Sequence, residues 1–314
     1  MRQNRREFLK TSLLGVGISF SLPTALAVGK TENGQSSQLA RRRVGRRQIH
    51  LDFHTSEYLP NIGEAFSKKQ FQSALKIANV DAVNIFGKGH HSWSYYPTKV
   101  GKMHPNLKFD LLGKQIEACH EIGVAAPVYF TFGWSHNDAI DHPEWCSRSE
   151  DGSLLTNGHF DSSAGPDARK PDFHWIFMCV NTSYHDHVIE QLEELCINYD
   201  IDGVWMDIYQ VSRPCYCNTC KEMMFAEGFD IGKRDEAIRF LAKSFKRHQE
   251  SVTRLVQKYH PDATVYFNGC TAINRGAYNF EHKMYEYNTI QDLEDLPTTW
   301  GGYDKLPMQS KYFL

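Results

Sequence analysis

The chain of 314 residues lacks several features that would each fix a class at once. It lacks a bilayer-spanning segment: the weakly apolar run from Leu13 to Leu22 is about half the length a transmembrane helix requires. No Gly-x-Gly-x-x-Gly follows its first expected strand, which argues against a dinucleotide-binding sheet. No set of His and Asp at ligand spacing is present, which disfavours a metal-dependent deacetylase or phosphoesterase. Strong net charge is missing too, the formal value being −2. That balance hides an asymmetry. Residues 1–47 hold 10 Lys/Arg against 2 Asp/Glu, which leaves the rest of the chain at −10. An acidic body repels polyanions, so nucleic acid is disfavoured and a neutral substrate suits it better.

The basic N-terminus has its own logic. Asn4-Arg5-Arg6-Glu7-Phe8-Leu9-Lys10 resembles a twin-arginine export signature. The short apolar run and a cleavage site at Ala25-Leu26-Ala27 follow it, which defines a signal peptide over 1–27. The expected home is therefore the periplasm or the extracellular space, with no membrane attachment once the signal is removed. Residues 28–47, with Arg41-Arg42-Arg43 and Arg46-Arg47 and no apolar period, read as a disordered basic linker. Export by this route moves folded protein, so a thiolate metal site could be filled in the cytoplasm. The eight cysteines thus do not by themselves imply disulfides.

What is present from Gln48 onward is alternation. Strands are expected at Ile49–His54, Ala82–Phe86 (ended by Gly87), Val124–Phe132, Gly203–Ile208 and Ala263–Asn268, with a sixth at Met284–Ile290. Helices are expected between them: Ser67–Ala78 with Ser67 as N-cap, Asp110–Ile122 stopped by Gly123, Ser183–Tyr199 and Arg234–Tyr259. Such alternation implies parallel βαβ units and, without a phosphate-binding turn, a (β/α)8 TIM barrel over 48–314. About six of its units are present, so the C-terminal strands are expected to be missing from this chain.

A barrel keeps its chemistry in the loops after its strands. Those loops carry Asp52 and His54, then His90-His91-Ser92-Trp93, then Trp134-Ser135-His136, then Asp207, Asn268, and Asp292-Leu293-Glu294. Aromatic rings cover the apolar face of a sugar while His, Asn and carboxylates bind its hydroxyls, so the mixture points to carbohydrate. The long excursion after the third strand, with Trp134, His136, Trp145, His159, His174 and Trp175, is expected to cover the site. The adjacent His90 and His91 point opposite ways on an extended chain, which suits substrate hydrogen bonding better than joint metal binding. Cys215, Cys217 and Cys220 form C-x-C-x-x-C, which points to a metal or a disulfide. Cys119, Cys196 and Cys270 lie in apolar contexts and are expected in the core.

Lys88-Gly89-His90-His91-Ser92-Trp93, Tyr96-Pro97-Thr98-Lys99 and Phe109-Asp110-Leu111-Leu112 together resemble the α-L-fucosidase pattern. Ile201-Asp202-Gly203-Val204-Trp205-Met206-Asp207 is similar to that family's strand-four segment. Over about residues 48–314 the chain also resembles the barrels called hypothetical glycosyl hydrolase 6, through Pro143-Glu144-Trp145, Asp151-Gly152, Cys179 to Tyr184 and Leu296 to Asp304. Those barrels usually continue into a β-galactosidase-type trimerisation domain, so self-association of a full-length form is implied. The resemblance implies a retaining glycosidase with Asp207 as nucleophile and His54 as a sugar-binding residue. It leaves the acid/base open among Glu294, Asp292 and Glu57. Substrate-binding residues are then His54, His90, His91, Trp93, Trp134, His136 and Asn268.

The cysteine spacing resembles β-galactosidases in which an upstream Cys completes a four-thiolate zinc site, which implies structural zinc on Cys179, Cys215, Cys217 and Cys220. Cys146 is the alternative fourth ligand, and a disulfide among the three clustered thiols stays open. No organic cofactor is implied. Two other functions remain: a β-galactosidase-like hydrolase in which Asp207 is the acid/base and its partner lies elsewhere, or a non-catalytic carbohydrate-binding barrel.

Overall fold

A computed structural model of the chain describes residues 44–45, 47–157, 175–269, 279, 281–292, 294, 303, 307–308 and 310–311. The expected signal peptide, all of the linker before residue 44, His159, His174, Cys270 and most of the 296–304 motif lie outside the described residues.

Among the described residues there are seven strands: β1 Gln48–His50, β2 Ala82–Lys88, β3 Trp93–Ser94, β4 Lys102–Met103, β5 Val128–Thr131, β6 Gly203–Asp207 and β7 Thr264–Phe267. β1, β2, β5, β6 and β7 are neighbours in chain order, and every pair is parallel. The crossovers are helical: α1 Lys68–Ile77, α2 Leu111–His120, α4 Tyr184–Asn198 and α6 Arg234–Tyr259. This is the strand succession of a TIM barrel. α1 begins where Ser67 accepts from Gln70 N, and α2 where Asp110 accepts from Gly113 N at 2.8 Å, so side chains satisfy the orphan amides of each first turn.

The strands alternate between two cores. Val83, Ile85, Val128, Phe130, Val204, Met206, Val265 and Phe267 face the helices. Phe86, Tyr129, Trp205 and Tyr266 face the barrel interior and form one aromatic cluster. Phe86 stacks on Tyr129 at 4.1 Å and Tyr129 on Trp205 at 5.3 Å, so the barrel is floored by rings. Side chains two residues further along point the same way. That places Thr131, Asp207 and Asn268 in the next layer up, at the strand ends.

β2 departs from expectation. Gly87 does not end it; the strand continues to Lys88, with its register against β5 shifting between Phe86 and Lys88. The extra residue is a β-bulge. Phe86 pairs with inward Tyr129 but Lys88 pairs with outward Phe130, so the bulge turns Lys88 out of the barrel. A Cβ at Gly87 would stand 2.7 Å from Val128 Cγ1, which reserves the position for glycine. Lys88 is fully buried and pairs with Asp138 Oδ2 at 2.8 Å, with Gln191 Oε1 at 3.1 Å.

The expected sixth strand is not one. Residues 284–287 are turns and 289–290 a bend. Thr289 N reaches Val265 O at 2.9 Å, but Phe267 N is taken by the Asn288 side chain at 3.0 Å, so a backbone ladder along β7 cannot continue. Three short pieces have no counterpart in the sequence reading beyond β3 and β4: α3 His136–Asp141, a 3-10 turn Pro143–Trp145 and α5 Asn218–Ala226.

Candidate active site

Asp207 ends β6 and is buried. Its Oδ2 accepts from the Tyr129 hydroxyl at 2.5 Å, and its Oδ1 from Ile208 N and Asn268 Nδ2, both at 2.8 Å. Three donors on two oxygens suit a carboxylate. One of them has a backbone cost. Ile208 holds a positive φ of 67°, rare for a β-branched residue, and this turn aims its N–H back at the Asp207 side chain. The Ile208 carbonyl then lies against Gly133, where a Cβ would stand only 2.1 Å away.

Asn268 follows β7, and its backbone N donates to Met206 O at 2.8 Å. Its side-chain nitrogen also donates to Glu294 Oε2 at 2.7 Å. One amide therefore joins Asp207 to Glu294. The other carboxylates are engaged differently. Asp292 Oδ2 accepts from Trp205 Nε1 at 2.9 Å, and its carbonyl accepts from the Tyr266 hydroxyl, so it anchors its segment to the aromatic floor. Glu57 accepts from Trp93 Nε1 at 3.4 Å. Of the three acid/base candidates, only Glu294 is placed on a residue that also holds Asp207.

His90 rises from the bulged end of β2, with Nε2 3.7 Å from Asp207 Oδ2. The Thr131 hydroxyl gives its one proton to Trp134 O at 2.9 Å, so it must accept from His90 Nδ1 at 2.7 Å. That fixes the tautomer with a lone pair on Nε2 facing the Asp207 gap. Burial, together with His54 and His91, holds the His90 pKa well below the ordinary value and keeps the ring neutral. His54 stacks under it, centroids 3.7 Å apart and ring planes nearly parallel. His54 Nδ1 accepts from His90 N at 3.0 Å, and Nε2 faces Asp52 Oδ1 at 2.8 Å. Both of its ring nitrogens are thus engaged, which makes His54 a support beneath His90.

The remaining expected binding residues gather around Trp175. Trp134 lies parallel to it at 6.1 Å, while His90, His91 and His136 meet it edge-on at 5.2, 4.8 and 6.4 Å. His136 N donates to His90 O and Asn137 Nδ2 to His91 O, so α3 fastens the histidine pair. Burial lowers His91 to about 4. Trp134 Nε1 is buried with no hydrogen-bond partner among the described residues. Trp93 stands apart, edge-on to His104 at 5.9 Å and tied to Glu57. Tyr129 and Thr131 went unsingled in the sequence because they read as apolar-strand interior; their shared face with Asp207 was the available signal.

The sulfurs of Cys179, Cys215, Cys217 and Cys220 lie within 4.8 Å of one another. Cys179 Sγ is 3.4 Å from Cys220 Sγ and 3.7 Å from Cys217 Sγ. A tetrahedral zinc with Zn–S of about 2.3 Å would set sulfurs roughly 3.8 Å apart, so the set fits a closed four-thiolate site. Arg148 N, Cys217 N and Asn181 Nδ2 point at the sulfurs from 3.3–3.4 Å, the donor shell thiolates need. Hydrogen bonds from Cys179 and its neighbours depress the Cys215 thiol strongly. Cys146 is not in the cluster; its sulfur faces Ala139 O and His142 O. Among the described residues no cysteine forms a disulfide, and Cys119 and Cys196 are buried in the core as expected.

Residues 67–208 match the model of the family described as hypothetical glycosyl hydrolase 6. The α-L-fucosidase isoenzyme 2 of Paenibacillus thiaminolyticus is 38% identical, with a TM-score of 0.72 over 84% of this chain and 38% of that one. The resemblance drawn from the sequence is thereby borne out, as is the barrel fold. β-Galactosidases from Marinomonas ef1 (10% identity, TM-score 0.48, 70% of this chain and 37% of that one) and Rahnella sp. R3 (12%, 0.49, 73% and 36%) are more distant and carry no argument. No curated protein matches the chain. The chain spans 38% of the length of the fucosidase it matches.

Proposed function

We propose that this chain is a retaining glycoside hydrolase acting on a terminal sugar such as an α-L-fucoside, with Asp207 as nucleophile and Glu294 as acid/base. The observation that carries the reading is the amide bridge. Asp207 Oδ1 and Glu294 Oε2 can be no farther apart than the two hydrogen bonds to Asn268 Nδ2 laid end to end, which is compatible with the close carboxyl pair of a retaining enzyme. Asp207 attacks the anomeric carbon as Glu294 gives a proton to the departing oxygen; water, deprotonated by Glu294, then releases the sugar from Asp207. His90 Nε2 stands 3.7 Å from Asp207 Oδ2, and Trp134 Nε1 is a buried donor with no partner among the described residues. The role of Asp207 as acid/base to a distant nucleophile is less favoured, because a second carboxylate, Glu294, shares the Asn268 amide with Asp207. A purely binding barrel would have no use for that pair.

The Cys179–Cys215–Cys217–Cys220 cluster is read as a structural zinc site: four thiolates leave the metal no open position, so it fastens loops and takes no part in bond cleavage. Twin-arginine export to the periplasm or beyond, and self-association of a longer form, rest on the sequence features alone. No helix among the described residues is long and apolar enough to cross a membrane.

A panel of nitrophenyl glycosides tests the reading. Activity is expected on one terminal sugar, the α-L-fucoside first, falling by at least about 10³-fold in Asp207→Asn. Wild-type activity in that variant would overturn the assignment.

A further inference from the structure

We infer that Asn268 is the positioning residue of the catalytic pair: its side-chain amide, with one N–H on Asp207 Oδ1 at 2.8 Å and the other on Glu294 Oε2 at 2.7 Å, sets the separation of nucleophile and acid/base. The inference rests on the reading of Asp207 and Glu294 given above.

An amide nitrogen has two hydrogens and no acceptor capacity. Between two carboxylates it is therefore a pure double donor, satisfying both without adding charge. Two carboxylates at this spacing repel each other if both are ionised. A neutral donor placed between them offsets part of that repulsion and limits their approach. Lys or Arg there would neutralise the pair, and Ser could donate to only one of them. Gln would carry its nitrogen a further carbon from the strand.

The amide is itself held. Asn268 is buried, its N donates to Met206 O at 2.8 Å, and Tyr209 N donates to its carbonyl at 3.4 Å, which fixes its backbone across the end of β6. The two carboxylates depend on it unequally. Asp207 is also held by Tyr129 and by Ile208 N from within its own rigid neighbourhood. Glu294 lies two residues beyond Asp292, in a stretch with no regular structure at 291, 292 and 294. Loss of the bridge should accordingly misplace the acid/base far more than the nucleophile.

That asymmetry gives a readout a merely structural residue would not produce. Two glycosides of the configuration hydrolysed by the wild type are compared, one with a nitrophenyl leaving group and one with methyl. Nitrophenolate departs with little protonation, whereas methoxide requires the acid. In Asn268→Ala, kcat/KM for the methyl glycoside should fall by about 10²-fold and for the nitrophenyl glycoside by no more than about tenfold, with KM nearly unchanged. Asn268→Asp keeps the shape but puts a third carboxylate between two. It should fold with a lowered melting temperature and move the acid limb of the pH–rate profile upward. Equal losses on both substrates, or wild-type rates in both variants, would overturn the inference while leaving the Asp207 assignment intact. A wild type inert on every glycoside, or an active Asp207→Asn, would remove the reading and the inference together.

Discussion

Tyr129 shows how much of this site is carried by residues that do not look functional. It sits in β5, fully buried between Phe86 and Trp205, and its hydroxyl spends its one proton on Asp207 Oδ2. Burial and the neighbouring Asp207 charge push the phenol well above its ordinary pKa, so it stays a donor. Tyr129→Phe keeps the ring stack and removes a hydrogen bond to a charged group, a loss of about 1.5–3 kcal/mol. The expected outcome is a tenfold to hundredfold drop in kcat/KM with a fall of a few degrees in melting temperature; an unaltered rate would show that the bond does not orient Asp207. Asp207 was legible because a carboxylate terminating an apolar strand is conspicuous. Tyr129 was not, because a tyrosine within Val128-Tyr129-Phe130 reads as filling until its face is known. Nor could the sequence separate Glu294 from Asp292: they are two residues apart, and only the anchoring of Asp292 to Trp205 and Tyr266 tells them apart.

Among the elements, the five parallel strands and four long helices were readable from apolar periodicity and caps. The short pieces were not, since α3 and the two-residue strands β3 and β4 are too brief to show a period. The bulge at Gly87 was misread as a strand end, because a glycine gives the same local signal for both. The physical consequence is large: Lys88, which simple alternation would aim into the barrel interior, instead forms a buried ion pair with Asp138 outside the barrel. The cysteine cluster also acts between elements. Cys179 belongs to the segment before α4, and Cys215 to Cys220 lead from β6 into α5, so a metal there would tie the excursion bearing Trp134 and Trp175 to the loop that follows Asp207. Protein purified without chelator should contain about one zinc per chain. Cys220→Ser should lose the metal and become sensitive to limited proteolysis in those two loops. Full occupancy in that variant, or none in the wild type, would contradict the assignment.

At the scale of the whole molecule, the fold keeps several histidines uncharged. His90 and His248 are held well below their ordinary pKa by burial, His91 is lowered to about 4, and His185, hydrogen-bonded to His248 through Nδ1 at 2.8 Å, is lowered too. In the unfolded chain each takes up a proton near pH 6.5; in the folded chain it does so only at lower pH. Their contribution to stability is therefore fully present above about pH 6.5 and is lost as pH falls from there toward the depressed folded values. Denaturant midpoints should decline steadily from pH 6.5 to pH 5 and be flat from pH 7 to pH 8. A midpoint insensitive to acid over the first interval would mean that these rings ionise freely in the native state.

One of these neutral histidines, His90, stands 3.7 Å from Asp207, the carboxylate read as the nucleophile. A 2-deoxy-2-fluoro glycosyl fluoride of the preferred sugar slows the second step more than the first, so a retaining enzyme accumulates its covalent intermediate. Mass spectrometry of the inactivated, digested protein should place one fluorosugar on the peptide containing Asp207, with none bound to Asp207→Asn. A label on any other carboxylate, or turnover with inversion and no label, would contradict the account.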